Sequence, residues 1–148
     1  MEDLVLWHTE SEEETKERGR EFVVKFCAGP SLVLLGGELG AGKTVFVKGM
    51  AKALGIAESL VRSPTFSLIH EYGGTPFSLY HMDFYRLNDW SEVLDLGFDE
   101  YLEKGGIIAI EWGEKFFAFF PPPFFVVRIA VTGEKTRSLR VVKCDSRL

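Results

Sequence analysis

The sequence predicts a three-layer α/β fold with a mixed central sheet. Three observations carry this: two strand-like runs that are almost wholly apolar, "SLVLLG" (31–36) and "GIIAIEW" (106–112); a glycine-rich loop that follows the first run and opens a helix; and two alternating pairs of segments that read as hairpins. Runs apolar at every position suit strands covered on both faces, as in an α/β sheet, whereas alternation suits antiparallel strands. At 148 residues the whole chain, 1–148, is expected to form one domain.

Taken in order, "LVLWH" (4–8) reads as a short strand. A helix follows in "TESEEETKERGREFVVKFCAG", entered through a capping pair, Ser11 with Glu14 or Thr9 with Glu12, and stopped by Gly29-Pro30. Its acidic first turns suit the helix dipole, and Phe22, Val23, Phe26 and Cys27 form its apolar face. Strand 31–36, the glycine-rich loop and the helix "KTVFVKGMAKAL" come next, with Phe46, Val47, Met50, Ala51 and Leu54 at helical spacing. "TFSLIHEY" (65–72) and "FSLYHMDFY" (77–85), separated by "GGTP", are predicted to form an antiparallel hairpin. "SEVLDLGFDEYL" (91–102) reads as one helix or two, interrupted at Gly97, before strand 106–112. "FFAFFPPPFF" (116–125) is predicted to be irregular because of its three prolines, and residues 125–144 to form a terminal hairpin turning at Gly133-Glu134-Lys135.

Composition removes several function classes. Hydrophobic residues make up 46%, with thirteen Phe, enough for a substantial core, and no apolar run approaches the ~20 residues of a membrane span. The first residues lack the features of a signal peptide, so a cytoplasmic location is expected. Net charge is −5 with Lys and Arg scattered, which argues against autonomous nucleic-acid binding while leaving room for work inside a larger assembly. Cys27 and Cys144 are expected to be buried thiols, and the chain has no cluster of Cys and His suited to zinc.

The chemistry concentrates at "GELGAGKT" (37–44), which fits Gly-x-x-x-x-Gly-Lys-Thr, the P-loop pattern, with Gly37, Gly40, Ala41 and Gly42 in the loop and Val45 just inside the helix. Glycines let the backbone wrap an anion with its N–H groups pointing inward, and the helix N-terminus adds its dipole. Lys43 is expected to neutralise β- and γ-phosphates and Thr44 to bind Mg²⁺. A carboxylate at a buried strand end should complete the metal site, and two candidates stand ready: Asp83 after "FSLYHM" and Glu111 after "GIIAI". Asp83 reads as a Walker-B residue orienting a metal-bound water; Glu111 either ligates magnesium or positions the attacking water. Either residue taken singly also reads as a solvated strand terminus. "SPTF" (63–66) puts the Thr65 hydroxyl where GTPases place a γ-phosphate-sensing switch, though taken alone it also reads as a plain turn, while His81, Tyr85 and Trp112 read first as packing residues.

In order, "GELGAGKT", "SPTF", "HMDFYRL" and "IEWGEK" resemble the TsaE (YjeE) family, P-loop ATPases of tRNA threonylcarbamoyladenosine biosynthesis, from about residue 9 to 115. The resemblance implies binding of ATP/ADP and Mg²⁺, slow hydrolysis, and work with TsaB and TsaD, which modify adenosine 37 of tRNAs reading ANN codons. It further implies that Gly40 to Thr44 hold phosphate, that Thr44 and Glu111 hold the metal, that Asp83 is the Walker-B carboxylate, that Thr65 is switch-like, and that the loop entering the first helix, near Thr9 to Glu12, faces adenine. tRNA would then be met mainly through the complex. Two other functions compete: a small-molecule or nucleoside kinase, and a nucleotide-gated binding module without significant turnover.

Overall fold

The computed structural model describes residues 1–146. Strand β1 (Glu2–Thr9) leads into helix α1 (Glu12–Phe26), strand β2 (Ser31–Gly36) and helix α2 (Lys43–Ala53). Strands β3 (Ile69–Tyr72) and β4 (Leu79–Asp83) form a hairpin, followed by the short helices α3 (Trp90–Asp95) and α4 (Phe98–Lys104). Strand β5 (Ile107–Glu111), a 3₁₀ helix over Glu114–Phe119 and the hairpin of β6 (Phe124–Val131) and β7 (Arg137–Cys144) complete the chain. Among the described residues seven strands make one sheet in the order β1-β7-β6-β2-β5-β4-β3. Its middle, β6-β2-β5-β4, is parallel, and both flanks are antiparallel.

Alternation along the central strands explains the three layers. Val33 and Leu35, Ile107 and Ala109, Val127 and Ile129 point to the face that carries α1 and α2. Leu32 and Leu34, Ile108 and Ile110, and Val126 point to the other, where Val93, Phe98, Phe116 and Phe120 cover them. Phe22 knits the first layer, its ring 5.7 Å from Phe46 and 5.3 Å from Phe125. Each such fully buried side chain contributes roughly 1.5–3 kcal/mol.

Ser11, not Thr9, caps α1: its Oγ accepts the Glu14 N–H at 3.1 Å. Thr9 is buried and shares a 2.8 Å hydrogen bond with Thr15. Two sequence expectations need correction. Residues 65–68 do not extend the strand of 69–72. After Pro64 the chain turns, closed by the Leu68 N–H donating to the Pro64 carbonyl at 2.8 Å, with Leu68 at φ 69°. The aromatic segment is not irregular throughout either, since Glu114–Phe119 is 3₁₀-helical and the prolines only begin at Pro121. Phe120 stacks on Phe84 at 6.5 Å and meets Trp90 edge-on at 5.2 Å, so the segment seals the second layer.

Helices α1 and α2 cross closely enough that two glycines touch the opposite backbone. A Cβ at Gly49 would lie 1.8 Å from the Lys16 carbonyl oxygen, and one at Gly19 would lie 2.1 Å from that of Phe46. Backbone cannot yield as a flexible side chain can. Gly49→Ala is therefore expected to lower unfolding free energy by at least about 1–3 kcal/mol, the usual range for overpacking. Urea titration followed by circular dichroism checks this, and unchanged stability would mean that the helices stand farther apart.

Candidate functional site

The parallel strands end level. Leu35 of β2 is in register with Glu111 of β5, and Glu111 with Asp83 of β4. The loop after β2 therefore leaves the sheet beside two carboxylates. Gly37 adopts φ 146° where a Cβ would meet the Ile129 carbonyl oxygen at 2.5 Å, and Gly42 starts α2 at φ 109°. Neither conformation suits an L side chain, which is why this turn requires glycine.

Lys43, only 5% exposed, folds back so that Nζ donates to the Gly37 carbonyl at 2.8 Å. The same ammonium stands 3.5 Å from the centroid of the Trp112 ring, a cation–π contact. Burial pushes the Lys43 pKa down, opposed by the charges of Glu111, Asp83 and Glu114. Thr44 Oγ1 donates to Glu111 Oε2 at 3.0 Å, and that oxygen also takes His81 Nε2 at 2.6 Å. Burial pushes the Glu111 carboxyl up, but the hydrogen bond and charge of His81, the Thr44 hydroxyl and the Lys43 charge outweigh it, leaving the pKa below its ordinary value. Asp83 moves the other way. Burial raises it, with the Glu111 charge adding, against the Tyr85 N–H that donates to Oδ1 at 2.9 Å. Two neighbouring carboxyls are thus pushed apart in acidity, a pattern that suits different chemical roles.

Lys43, Thr44, Asp83, Tyr85, Glu111 and Trp112 line a cleft of about 1020 Å³. Of the sequence-predicted residues, Glu12, Gly40, Ala41, Gly42, Lys43, Thr44, Val45, Thr65, Asp83 and Glu111 all line it, and Gly37 lies behind Lys43. The turn at 64–68 delivers Thr65, whose Oγ1 is 3.2 Å from Ser63 Oγ. His81 and Trp112 are not mere packing. His81 holds Glu111, and Trp112, at φ 61°, belongs to neither core cluster and lays its ring on Lys43. Tyr85 packs edge-on against Trp112 with centroids 5.1 Å apart.

Sequence reasoning missed Glu134, Lys135 and Arg137, which line the cleft beside the start of α1, because Arg137 of β7 pairs with Thr9 of β1. Arg137 Nε donates to the Ala41 carbonyl at 2.9 Å and Nη1 to those of Gly133 and Thr136 at 3.1 and 2.8 Å, tying the last hairpin to the phosphate-type loop. The turn at 133–135 was legible; its place was not. That place follows because β6 runs parallel beside β2, so both strands end at the same edge.

A glycine loop capping a helix, a buried lysine, and a hydroxyl–carboxylate pair at the C-terminal edge of a parallel sheet define a P-loop protein of the α/β class. Comparison with known proteins narrows this. A sequence model of the family described as threonylcarbamoyl adenosine biosynthesis protein TsaE matches residues 9–139, and the chain belongs to the TsaE family. It is 38% identical to the tRNA threonylcarbamoyladenosine biosynthesis protein TsaE of Bacillus subtilis, over 95% of this chain and 87% of that one. The protein of the same name from Aquifex aeolicus is 37% identical, covering 97% of both. The crystal structure of Bacillus subtilis YdiB superposes with a TM-score of 0.75 at 32% identity, over 95% of this chain and 86% of that one. Among the described residues no helix is long and apolar enough to cross a membrane.

The raised pKa of Asp83 has a stability consequence. A carboxyl whose pKa is higher folded than unfolded destabilises the fold once pH rises through that window, and the penalty vanishes below the ordinary Asp range. Without nucleotide or metal, Asp83→Asn is expected to be more stable than the parent at neutral pH, with the gap closing on acidification. Urea midpoints across pH check this; a less stable variant at neutral pH would show that the Asp83 charge is favourable in the fold.

Proposed function

We propose that the chain is a Mg²⁺-dependent ATPase, slow alone, that serves threonylcarbamoylation of tRNA adenosine 37 together with TsaB and TsaD. The observation that carries the reading is the Thr44–Glu111 hydrogen bond beside the buried Lys43 ammonium. A hydroxyl and an ionised carboxylate converge there with Asp83 adjacent, an all-oxygen donor set of the kind magnesium takes. Thr44, Glu111 and Asp83 would hold the ion. When bound, magnesium supplies charge neutralisation for phosphoryl transfer.

The chain's own residues do the rest. Backbone N–H groups of Gly40 to Thr44 bind phosphate, and Lys43 exchanges the Gly37 carbonyl and the Trp112 face for phosphate oxygens. Asp83, the more basic carboxyl, orients water, and Thr65 meets the γ-phosphate end. Ser11, Glu12 and Thr15, with the neighbouring 134–137 hairpin, would line the place of the nucleoside. Named relatives act in threonylcarbamoyladenosine biosynthesis. An acidic chain fits a subunit that leaves tRNA contact mainly to its partners.

Lys43→Ala is expected to abolish measurable ATP binding in calorimetry, because the ammonium has no substitute in the loop. Glu111→Ala should keep ADP affinity and lose about 10²-fold or more in hydrolysis rate. A variant at position 111 with the parent rate would reduce Glu111 to a strand terminus.

The switch reading makes a separate demand. Phosphate release should be slow for the chain alone and faster with TsaB and TsaD, and Thr65→Ala should lower the stimulated rate more than ADP affinity. A loop ordered by the γ-phosphate and released after hydrolysis would present two surfaces to a partner. A rate that partners leave unchanged, with tRNA modification proceeding without this chain, would favour a kinase or a passive module.

A further inference from the structure

His81 sits in the middle of β4, opposite His70 of β3 and Ala109 of β5, and is wholly buried. Its strand parity matches Leu79 and Asp83, so its ring lies on the face beneath α1 and α2 that otherwise buries apolar side chains. Its Nε2 meets Glu111 Oε2 at 2.6 Å, whereas its Nδ1 is buried with no hydrogen-bond partner. A residue kept only for packing would carry neither a charged partner nor an unmatched polar atom in such a place. What the imidazole gains there is the carboxylate.

The consequence for Glu111 is geometric. Its Oε2 accepts from both His81 and Thr44, which approach from β4 and from the first turn of α2. Two donors from separate elements fix the carboxylate plane and leave Oε1 outside the pair. The arrangement repeats a general feature of metal sites, in which a ligating side chain is oriented by a hydrogen-bond partner that never touches the ion. Without the His81 contact, Glu111 would swing about its χ angles and meet the cation only part of the time.

We propose that His81 is a positioning residue that presets Glu111 for the divalent cation, an inference that rests on the nucleotide and magnesium reading above. It predicts a requirement for reach. A glutamine amide extends about as far as Nε2 and can still donate to Glu111, whereas an asparagine amide stops near the position of Nδ1. Both variants are polar amides that differ by one methylene, and ADP affinity in EDTA reports any effect of that lost volume.

The experiment follows Mn²⁺, a paramagnetic stand-in for Mg²⁺, through the signal of the free ion as it binds the protein–ADP complex, with ADP affinity in EDTA measured alongside. His81→Asn is expected to weaken Mn²⁺ uptake by about 10- to 100-fold while leaving ADP affinity in EDTA unchanged. His81→Gln should retain most of the uptake. Asparagine binding the ion as well as the parent does, or glutamine losing as much as asparagine, would overturn the inference. Loss of ADP binding in EDTA by the asparagine variant would also overturn it, making His81 a structural residue. Failure of the parent to take up Mn²⁺ with ADP would instead strike the nucleotide reading, and the inference with it.

Discussion

Everything at the cleft depends on the parallel alignment of β2, β5 and β4. Because the side-chain period in a strand is two, register decides both the level and the face of every residue. Leu35, Glu111 and Asp83 come level at one edge, and the helix begun at Gly42 lays Thr44 against the first of the carboxylates. A one-residue slip of β5 would turn Glu111 into the aromatic layer and put Ile110 beneath the loop. The apolar residues on both faces make such a slip costly, so the core itself enforces the geometry of the polar edge.

That edge concentrates charge where little water reaches. Lys43, His81, Asp83 and Glu111 are all buried; His81 and Glu111 pair with each other, whereas Lys43 has only a carbonyl and an aromatic face and Asp83 a backbone N–H. The charges of Lys43 and Asp83, held this way, are destabilising for the fold, whereas Glu111 is favoured as the carboxylate. The opposite displacements of the two carboxyls follow from who reaches them. Glu111 has two side-chain donors, while Asp83 lies close to the Glu111 charge.

Much of this was legible in the sequence, for identifiable reasons. The loop pattern carries its own mechanism, and the apolar runs of β2 and β5 end at the glycines and at Glu111, so their level placement needed only a parallel sheet. The role of His81 was illegible because it depends on the β4–β5 register, which spacing along one strand does not reveal. Trp112 looked like core because tryptophan usually is; its left-handed backbone, which turns the ring onto Lys43, leaves no mark in residue identity. Residues 65–68 alternate as a strand does, yet the turn after Pro64 prevailed over that pattern.

The last hairpin shows how a distant segment joins the site. Ala41 and Arg137 stand 96 positions apart in the sequence, yet the guanidinium of the second holds the carbonyl of the first at 2.9 Å. The path runs through topology: β6 pairs parallel with β2 on the side away from β5, so the turn that follows it must emerge beside the glycine loop. Arg137 then uses its remaining donors on the turn's own carbonyls, so the loop and the turn share one rigid fork. The cleft is thereby lined, beside the start of α1, by residues whose position the sheet order dictates, since Arg137 of β7 pairs with Thr9 of β1. The guanidinium thus gives the hairpin a direct hydrogen bond to the loop, beyond what the sheet pairing supplies.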